Sequence, residues 1–553
     1  MARLGGRQPS GSGTLRRMLA LRGRAKCHLQ RMAARNLAPV LARACGVRLT
    51  RVWLSRVLAV AATAIVSGCA VGPDFLVPPA PDVNSYTPKP LPPQTVAAGD
   101  AAGGPQRFVV GRDLPGDWWR LFGSPELKSL VERAVRNNPD VAAAQAALRV
   151  AQANMAAGAG AFFPSIDGNF GASRQKTGIA STSALNQDTP TYNLFTSQLQ
   201  VSYTPDVFGG TRRSVESLQA QRDNQRFQFE ATYLTLTSNV VVAAVQEASL
   251  RGQIDATHKL IKIETDLLHV LRAQLSAGVI SEAEISTQEA TLAQTEQALP
   301  PLEQQLAQQR HLLSALTGGL PNQEPPEIFE LSRLHLPREL PVSLPSKLVE
   351  QRPDVRAAEE NMHSASALIG VAVANRLPNI SLTAAYGVNS LSIDQLVAPG
   401  SNIWSLGGTA LMPIFHGGTL LEKERAARET FDQAASQYRS AVITAFRNVA
   451  DSLTALQNDA AALQKSVRFE KAAGKTLSIT RRRLQIGEIN YLELLNAQQT
   501  YQRALITSVI AQSNRLADTA ALFQALGGGW WNRDDVDHKK PTPYFALFNG
   551  PIY

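Results

Sequence analysis

From Gly418 to Leu526 the chain carries no proline, and its apolar residues recur at helical spacing. Phe431, Ala434, Tyr438, Ala441, Ala445, Val449, Leu453 and Leu456 step by three or four and draw one stripe along a helix. Gln433, Gln437, Ser440, Thr444, Asn448 and Asp451 fall between them and keep the opposite face wet. The pattern breaks once, at Ile486-Gly487-Glu488-Ile489, and restarts at Asn490-Tyr491-Leu492-Glu493. Gly487 supplies the left-handed backbone that ends one helix. Asn490 and Glu493 supply a capping amide and a capping carboxylate for the next. The spacing predicts two long antiparallel helices joined by a tight turn, the first reaching roughly 100 Å at 1.5 Å per residue. Globular helices average about 11 or 12 residues, so this is no ordinary domain core.

The same design occurs upstream, from Gly210 to Leu316. Its turn, Leu275-Ser276-Ala277-Gly278-Val279-Ile280-Ser281, matches Leu484-Gln485-Ile486-Gly487-Glu488-Ile489-Asn490. Ser281-Glu282-Ala283-Glu284 is a capping box in the place of Asn490 to Glu493. Further pairs follow the same order. Asn138-Pro139-Asp140-Val141 corresponds to Arg352-Pro353-Asp354-Val355, and Pro205 to Gly210 corresponds to Pro413 to Gly418. An internal two-fold repeat is therefore expected, spanning 118–320 and 345–530, with a linker at 321–344 and a tail at 531–553.

Each repeat also contains alternating material. Ser165 to Ser173 sets Ile166, Phe170 and Ala172 against Ser165, Asp167 and Asn169. Tyr192 to Thr204 sets Leu199, Val201 and Tyr203 against Gln198, Gln200 and Ser202. Similar strands are expected within 380–411, so each repeat holds one hairpin, at 165–204 and at 380–411. Strands of about ten residues with one apolar and one polar face are the pattern of a transmembrane barrel, although any half-buried hairpin alternates too. Ser124-Pro125-Glu126 and Asn138-Pro139-Asp140 mark helix starts, each with a capping residue followed by proline.

Charge adds a leader to this picture. The first 68 residues hold thirteen of the 55 Lys and Arg residues and no acid, leaving 42 bases against 45 acids in the remainder. The net charge of +10 thus belongs to the leader and is no sign of nucleic-acid binding. Val57 to Val66 is too short to span a bilayer but suits the apolar core of a signal peptide. The basic segment before Arg51 is long for such a signal and points to a start assigned too far upstream. Val66-Ser67-Gly68-Cys69 is a bacterial lipobox, which makes Cys69 the lipidation candidate, and Ala70 after it implies sorting to the outer membrane. Cys27 and Cys45 lie in the leader, so the mature chain has no disulfide framework. Residues 69–117, rich in Pro, Ala and Gly, read as an extended tether from the anchor.

The order and duplication of these motifs resemble the TolC-like outer-membrane factors, specifically the lipoprotein OprM/NodT branch. The carriers are the lipobox, Trp118-Trp119-Arg120-Leu121-Phe122, Asn138 to Val141, Pro205 to Gly210, Gly487 to Gln499, and Ala525 to Trp530. The resemblance implies an α+β membrane protein and a homotrimer. Four strands per subunit would form a 12-stranded outer-membrane β-barrel, continued by a long periplasmic α-helical barrel. It implies a passive exit channel of a tripartite efflux system, working with a periplasmic adaptor and an inner-membrane RND-type pump. No cofactor is implied beyond the covalent lipid on Cys69. The periplasmic gate would fall at Leu492, Asn496 and Gln499, where Asn496 replaces the branch's Asp and Gln499 its Arg. Adaptor contacts would fall at the turns around Leu275, Gly278 and Ser281, and around Leu484, Gly487 and Asn490.

Other classes fare worse. No His pair at i, i+4 carries the neighbouring Glu of a zinc hydrolase, and Gly527-Gly528-Gly529 follows a helix instead of opening one after a strand. His363 and His416 read as structural. A coiled-coil lipoprotein would explain the long helices but not two hairpins at equivalent positions. Metal-cation efflux and type I protein secretion remain alternatives to small-molecule export.

Overall fold

A computed structural model describes residues 70–98, 103–176 and 191–536. The leader, Cys69, residues 99–102, the loop 177–190 and the tail beyond Val536 lie outside the described residues. The fold is dominated by two helices of 67 residues each, α3 (Gly210–Ser276) and α8 (Thr419–Gln485). At 1.5 Å per residue each is about 100 Å long. A glycine with positive φ precedes each, Gly209 at 79° and Gly418 at 83°.

The returns differ. α9 (Tyr491–Ala525) runs back unbroken over 35 residues. The upstream return is split into α4 (Glu282–Gln297) and α5 (Leu299–Leu316), not the single helix expected. Pro300 and Pro301 carry no N–H, so neither can bond the carbonyl four residues back, and the ladder is interrupted around Ala298. α1 (Pro125–Asn137) and α2 (Pro139–Ala159) precede the first hairpin, and α6 (Pro345–Gln351) and α7 (Pro353–Ala374) the second. Ser124 caps α1 by accepting from the Leu127 amide at 3.2 Å. Asn138 caps α2 through the Asp140 and Val141 amides at 2.8 and 3.3 Å.

One antiparallel sheet joins the two hairpins in the order β2-β3-β5-β6: β2 (Ser165–Lys176), β3 (Thr191–Tyr203), β5 (Asn379–Ser390), β6 (Asn402–Leu411). Gly168, Leu199, Tyr386 and Trp404 lie in one cross-strand row, and Ile166, Val201, Ala384 and Leu406 in the next row of the same face. The opposite face carries rows such as Asp167, Gln200, Ala385 and Ser405. The pleat thus sorts apolar from polar side chains across all four strands. The apolar face is open: Trp404 is 74 % exposed and Leu406 80 %.

The tether is not loose. β1 (Arg107–Val110) pairs in parallel with β4 (Glu339–Val342) in the linker, and the Tyr86 hydroxyl donates to the Ser343 carbonyl at 2.9 Å. Fully buried Arg515 of α9 donates to the carbonyl of Gly104 at 2.7 Å, to Thr95 Oγ1 at 3.0 Å and to Gln106 Oε1 at 3.3 Å. Burial lowers its pKa to about 10. Residues 70–98 and 103–112 are therefore a strap held on the helices, where composition alone suggested an extended tether. The main core gathers Trp118, Phe122, Leu127 and Leu130 with Val240, Val241 and Phe523.

Candidate functional site at the helical tip

Both long helices end in the same hydrogen-bonded turn. The Gly278 amide donates to Leu275 O at 2.9 Å and the Val279 amide to Gln274 O at 2.9 Å. The Gly487 amide donates to Leu484 O at 3.0 Å and the Glu488 amide to Arg483 O at 2.9 Å. This is the Schellman closure, which needs left-handed backbone at the glycine; φ is 71° at Gly278 and 78° at Gly487. Ser281 then opens α4: its amide donates to the Glu284 carboxylate at 3.0 Å, and its hydroxyl bonds the same carboxylate. The Ser281 bonds hold the Glu284 carboxyl below the usual carboxylate range. At the second turn only half of the expected box forms. Asn490 Oδ1 accepts from the Glu493 amide at 3.1 Å, and the Glu493 side chain stays exposed with no bond back to Asn490 among the described residues.

A small core separate from the main one holds the tip together. Leu267, Leu268 and Leu271 of α3, Ile285 of α4, Leu477 of α8, and Leu494 and Ala497 of α9 are buried together. Leu275 and Leu484 pack on its edge, half-buried. A polar chain crosses the cluster. The Tyr491 hydroxyl donates to Gln288 Oε1, Gln288 Nε2 donates to the Glu264 carbonyl at 3.1 Å, and Thr295 Oγ1 donates to Glu264 Oε1 at 3.1 Å. Burial pushes the Glu264 carboxyl up to about 7, with a further push from Glu296, against the Thr295 bond. Burial also raises the Tyr491 hydroxyl.

The gate candidates Leu492, Asn496 and Gln499 are all exposed on one face of α9. Gly278, Ser281, Gly487 and Asn490 are exposed at the turns. Sequence reasoning passed over Val279 and Ile486, apolar turn residues left 69 % and 66 % exposed. Their place beside each turn glycine was the available signal. A cleft of about 190 Å³ between α3 and α8 lies beside these turns, lined by Leu267, Val270, Gln274, Arg481, Leu484 and Gln485 among others.

At the other end, the strap begins where strand gives way to helix. The Val71 amide donates to the Phe208 carbonyl at 3.0 Å, and Arg213 Nη2 donates to Asp74 at 2.6 Å. A Cβ on Gly209 would lie 2.5 Å from the Ala70 Cα, so the strap needs glycine there. His363 is stacked on Phe75 at 4.4 Å. Burial opposes its protonation, but bonds to Glu216 at 3.1 Å and Glu360 at 3.2 Å outweigh that and raise its pKa to about 9. His416 lines a cleft at the same junction.

Paired 67-residue helices, tight exposed tips and an open sheet with an exposed apolar face are the architecture of an outer-membrane duct protein. No helix among the described residues is long and apolar enough to cross a membrane. The family model described as outer membrane efflux protein matches residues 130–319 and 344–528, and the chain belongs to that family. The pyoverdine export outer membrane protein OpmQ of Pseudomonas aeruginosa is 30 % identical over 455 residues, covering 79 % of this chain and 93 % of the relative. The toluene efflux pump outer membrane protein TtgF of Pseudomonas putida is 28 % identical over 493 residues, covering 86 % and 97 %. The crystal structure of the Campylobacter jejuni CmeC outer membrane channel shares the fold, with a TM-score of 0.75 at 23 % identity over 83 % of this chain and 95 % of that one. The protein is an outer-membrane exit channel for small molecules.

Proposed function

We propose that the channel is a homotrimer in which three four-stranded sheets close a 12-stranded barrel and the helices continue it as a periplasmic tube. The observation that carries this is the sheet. β2 and β6 are unpaired edges among the described residues, and the apolar face is exposed across all four strands. Lipid offers no partner to a strand edge, so such a sheet needs further copies to close it. The internal repeat makes the tube nearly six-fold in section. Lipidation of Cys69 anchors the chain beside the barrel rim, a reading supported by the pinning of Ala70 and Val71 at the junction of β3 and α3.

Leu492 and Asn496 form the constriction at the tip, with Gln499 one turn further in. A three-fold ring of Asn lacks the field that an Asp ring would offer cations. A periplasmic adaptor grips the turns from Leu275 to Ser281 and from Leu484 to Asn490. The exposed Val279 and Ile486 and the adjoining cleft favour that contact. An inner-membrane pump of the RND type supplies cargo in the class of organic solutes that the relatives' names describe. Planar-bilayer recording of the purified acylated protein tests this. Discrete steps from a heat-modifiable oligomer are expected, with cation selectivity rising in Asn496→Asp. Steps that ignore that change move the gate elsewhere, and folded protein that never conducts refutes the duct.

A further inference from the structure

We propose that Arg503 forms a cationic belt just beyond the tip constriction and makes the channel prefer anionic small molecules. The inference deepens the gate reading above and rests on it. Successive helical residues turn by 100°, so with Leu492 at zero, Asn496 lies at about 40°, Gln499 at about −20° and Arg503 at about 20°. Arg503 thus points along the mean direction of the three gate positions. It stands about 16 Å along the axis from Leu492.

All four residues are exposed. The Arg503 guanidinium makes no hydrogen bond and no ion pair among the described residues, so its charge is not cancelled locally. Between Glu493 and Asp518 the helix has no acid, and its other base, Arg515, is buried under the strap. Glu493 lies about 100° away from Leu492 on the wheel. The equivalent stripe on α4, Ala283, Thr287, Ala290 and Gln294, is exposed and neutral. In a three-fold tube the only charges on this stripe from the constriction to Asn514 are then three guanidiniums. A narrow lumen with one sign of charge raises the local concentration of the opposite sign. Arg is suited to carboxylate and sulfonate groups, which it engages with two parallel N–H donors.

The experiment is the reversal potential of the acylated trimer in a planar bilayer under a tenfold KCl gradient. Wild type, Arg503→Gln, Arg503→Glu and Leu492→Ala are compared, each verified as a trimer by gel mobility. Wild type is expected to favour chloride, with the chloride-to-potassium permeability ratio falling at least twofold in Arg503→Gln and inverting in Arg503→Glu. The difference should shrink in 1 M salt, where charges are screened within about 3 Å. An identical reversal potential in all three Arg503 forms overturns the belt while leaving a conducting duct. Leu492→Ala reads the gate separately. If it leaves conductance unchanged, the constriction reading falls, and the Arg503 series still decides the belt. If even Leu492→Ala never conducts, both readings fall.

Discussion

Removing one side chain from the tip should open the tip without unfolding the tube. Leu494 is fully buried in a cluster of only seven buried residues, which is separate from the main core. Leu494→Ala deletes buried methyl groups and leaves a cavity, at a cost of about 2–5 kcal/mol. The small cluster has few other contacts to share that loss, so it falls on local opening of the tip. At about 3 kcal/mol the open population of the tip rises roughly a hundredfold. Amide exchange in the first turns of α4 and α9 reports it directly, and baseline leak in bilayers reports its consequence for the proposed gate. Leu453, also fully buried but in the main cluster, is the control. Leu453→Ala should lower the melting temperature and spare tip exchange. If Leu494→Ala lowers global stability as Leu453→Ala does, with tip amides no faster than the rest, the tip is no independent unit and the reasoning fails.

The turn glycines separate backbone strain from crowding. A Cβ on Gly487 meets nothing within 4 Å, so Gly487→Ala costs only the left-handed backbone, about 1–2 kcal/mol. Gly528 has φ 68° and Leu234 Cδ1 only 2.2 Å from a built Cβ, so Gly528→Ala adds about 1–3 kcal/mol of overpacking; paired thermal melts should rank them in that order. Glu264 gives the tip a pH dependence. Folded, it keeps its proton up to about 7, against 4.5 unfolded, so the native state binds more protons in that window and tip stability falls as pH rises through it. Glu264→Gln keeps an acceptor for Thr295, should flatten the dependence, and should stabilise the tip by about 3 kcal/mol at pH 8. Tip amide exchange measured at pH 5 and pH 8 checks it, and an unchanged slope in the variant refutes the assignment.

The parts legible in the sequence are those that local chemistry decides. A 3.6-residue period, a glycine that must be left-handed and a cap residue act within a few positions, so both 67-residue helices and both turns could be placed from the chain alone. The strands were legible because one register serves all four: Leu199, Tyr386 and Trp404 share a row only if the alternation is kept across both hairpins. The strap was not legible. Its fastening joins Arg515 to Thr95, Gly104 and Gln106, more than 400 residues away, and no period relates them. Composition showed Pro, Ala and Gly and suggested an extended tether, and Arg515, with Gln512, Asp518 and Thr519 as its helix-face neighbours, gave no sign in the sequence that a strap would bury it. The same logic applies at the tip, where Glu264, Gln288 and Thr295 sit at helical positions that a soluble surface would also permit. Only packing of α4 against α3 makes them interior, and burial then changes their chemistry, raising a carboxyl toward neutrality. The proposed gate face differs in kind. Leu492, Asn496, Gln499 and Arg503 are exposed, and in the proposed trimer their meaning depends on symmetry copies that no intrachain contact specifies. One helix can thus carry a face fixed by intrachain packing, with Leu494 and Ala497 buried in the tip cluster, and an exposed face on which Asn496 touches nothing that the tip's packing depends on.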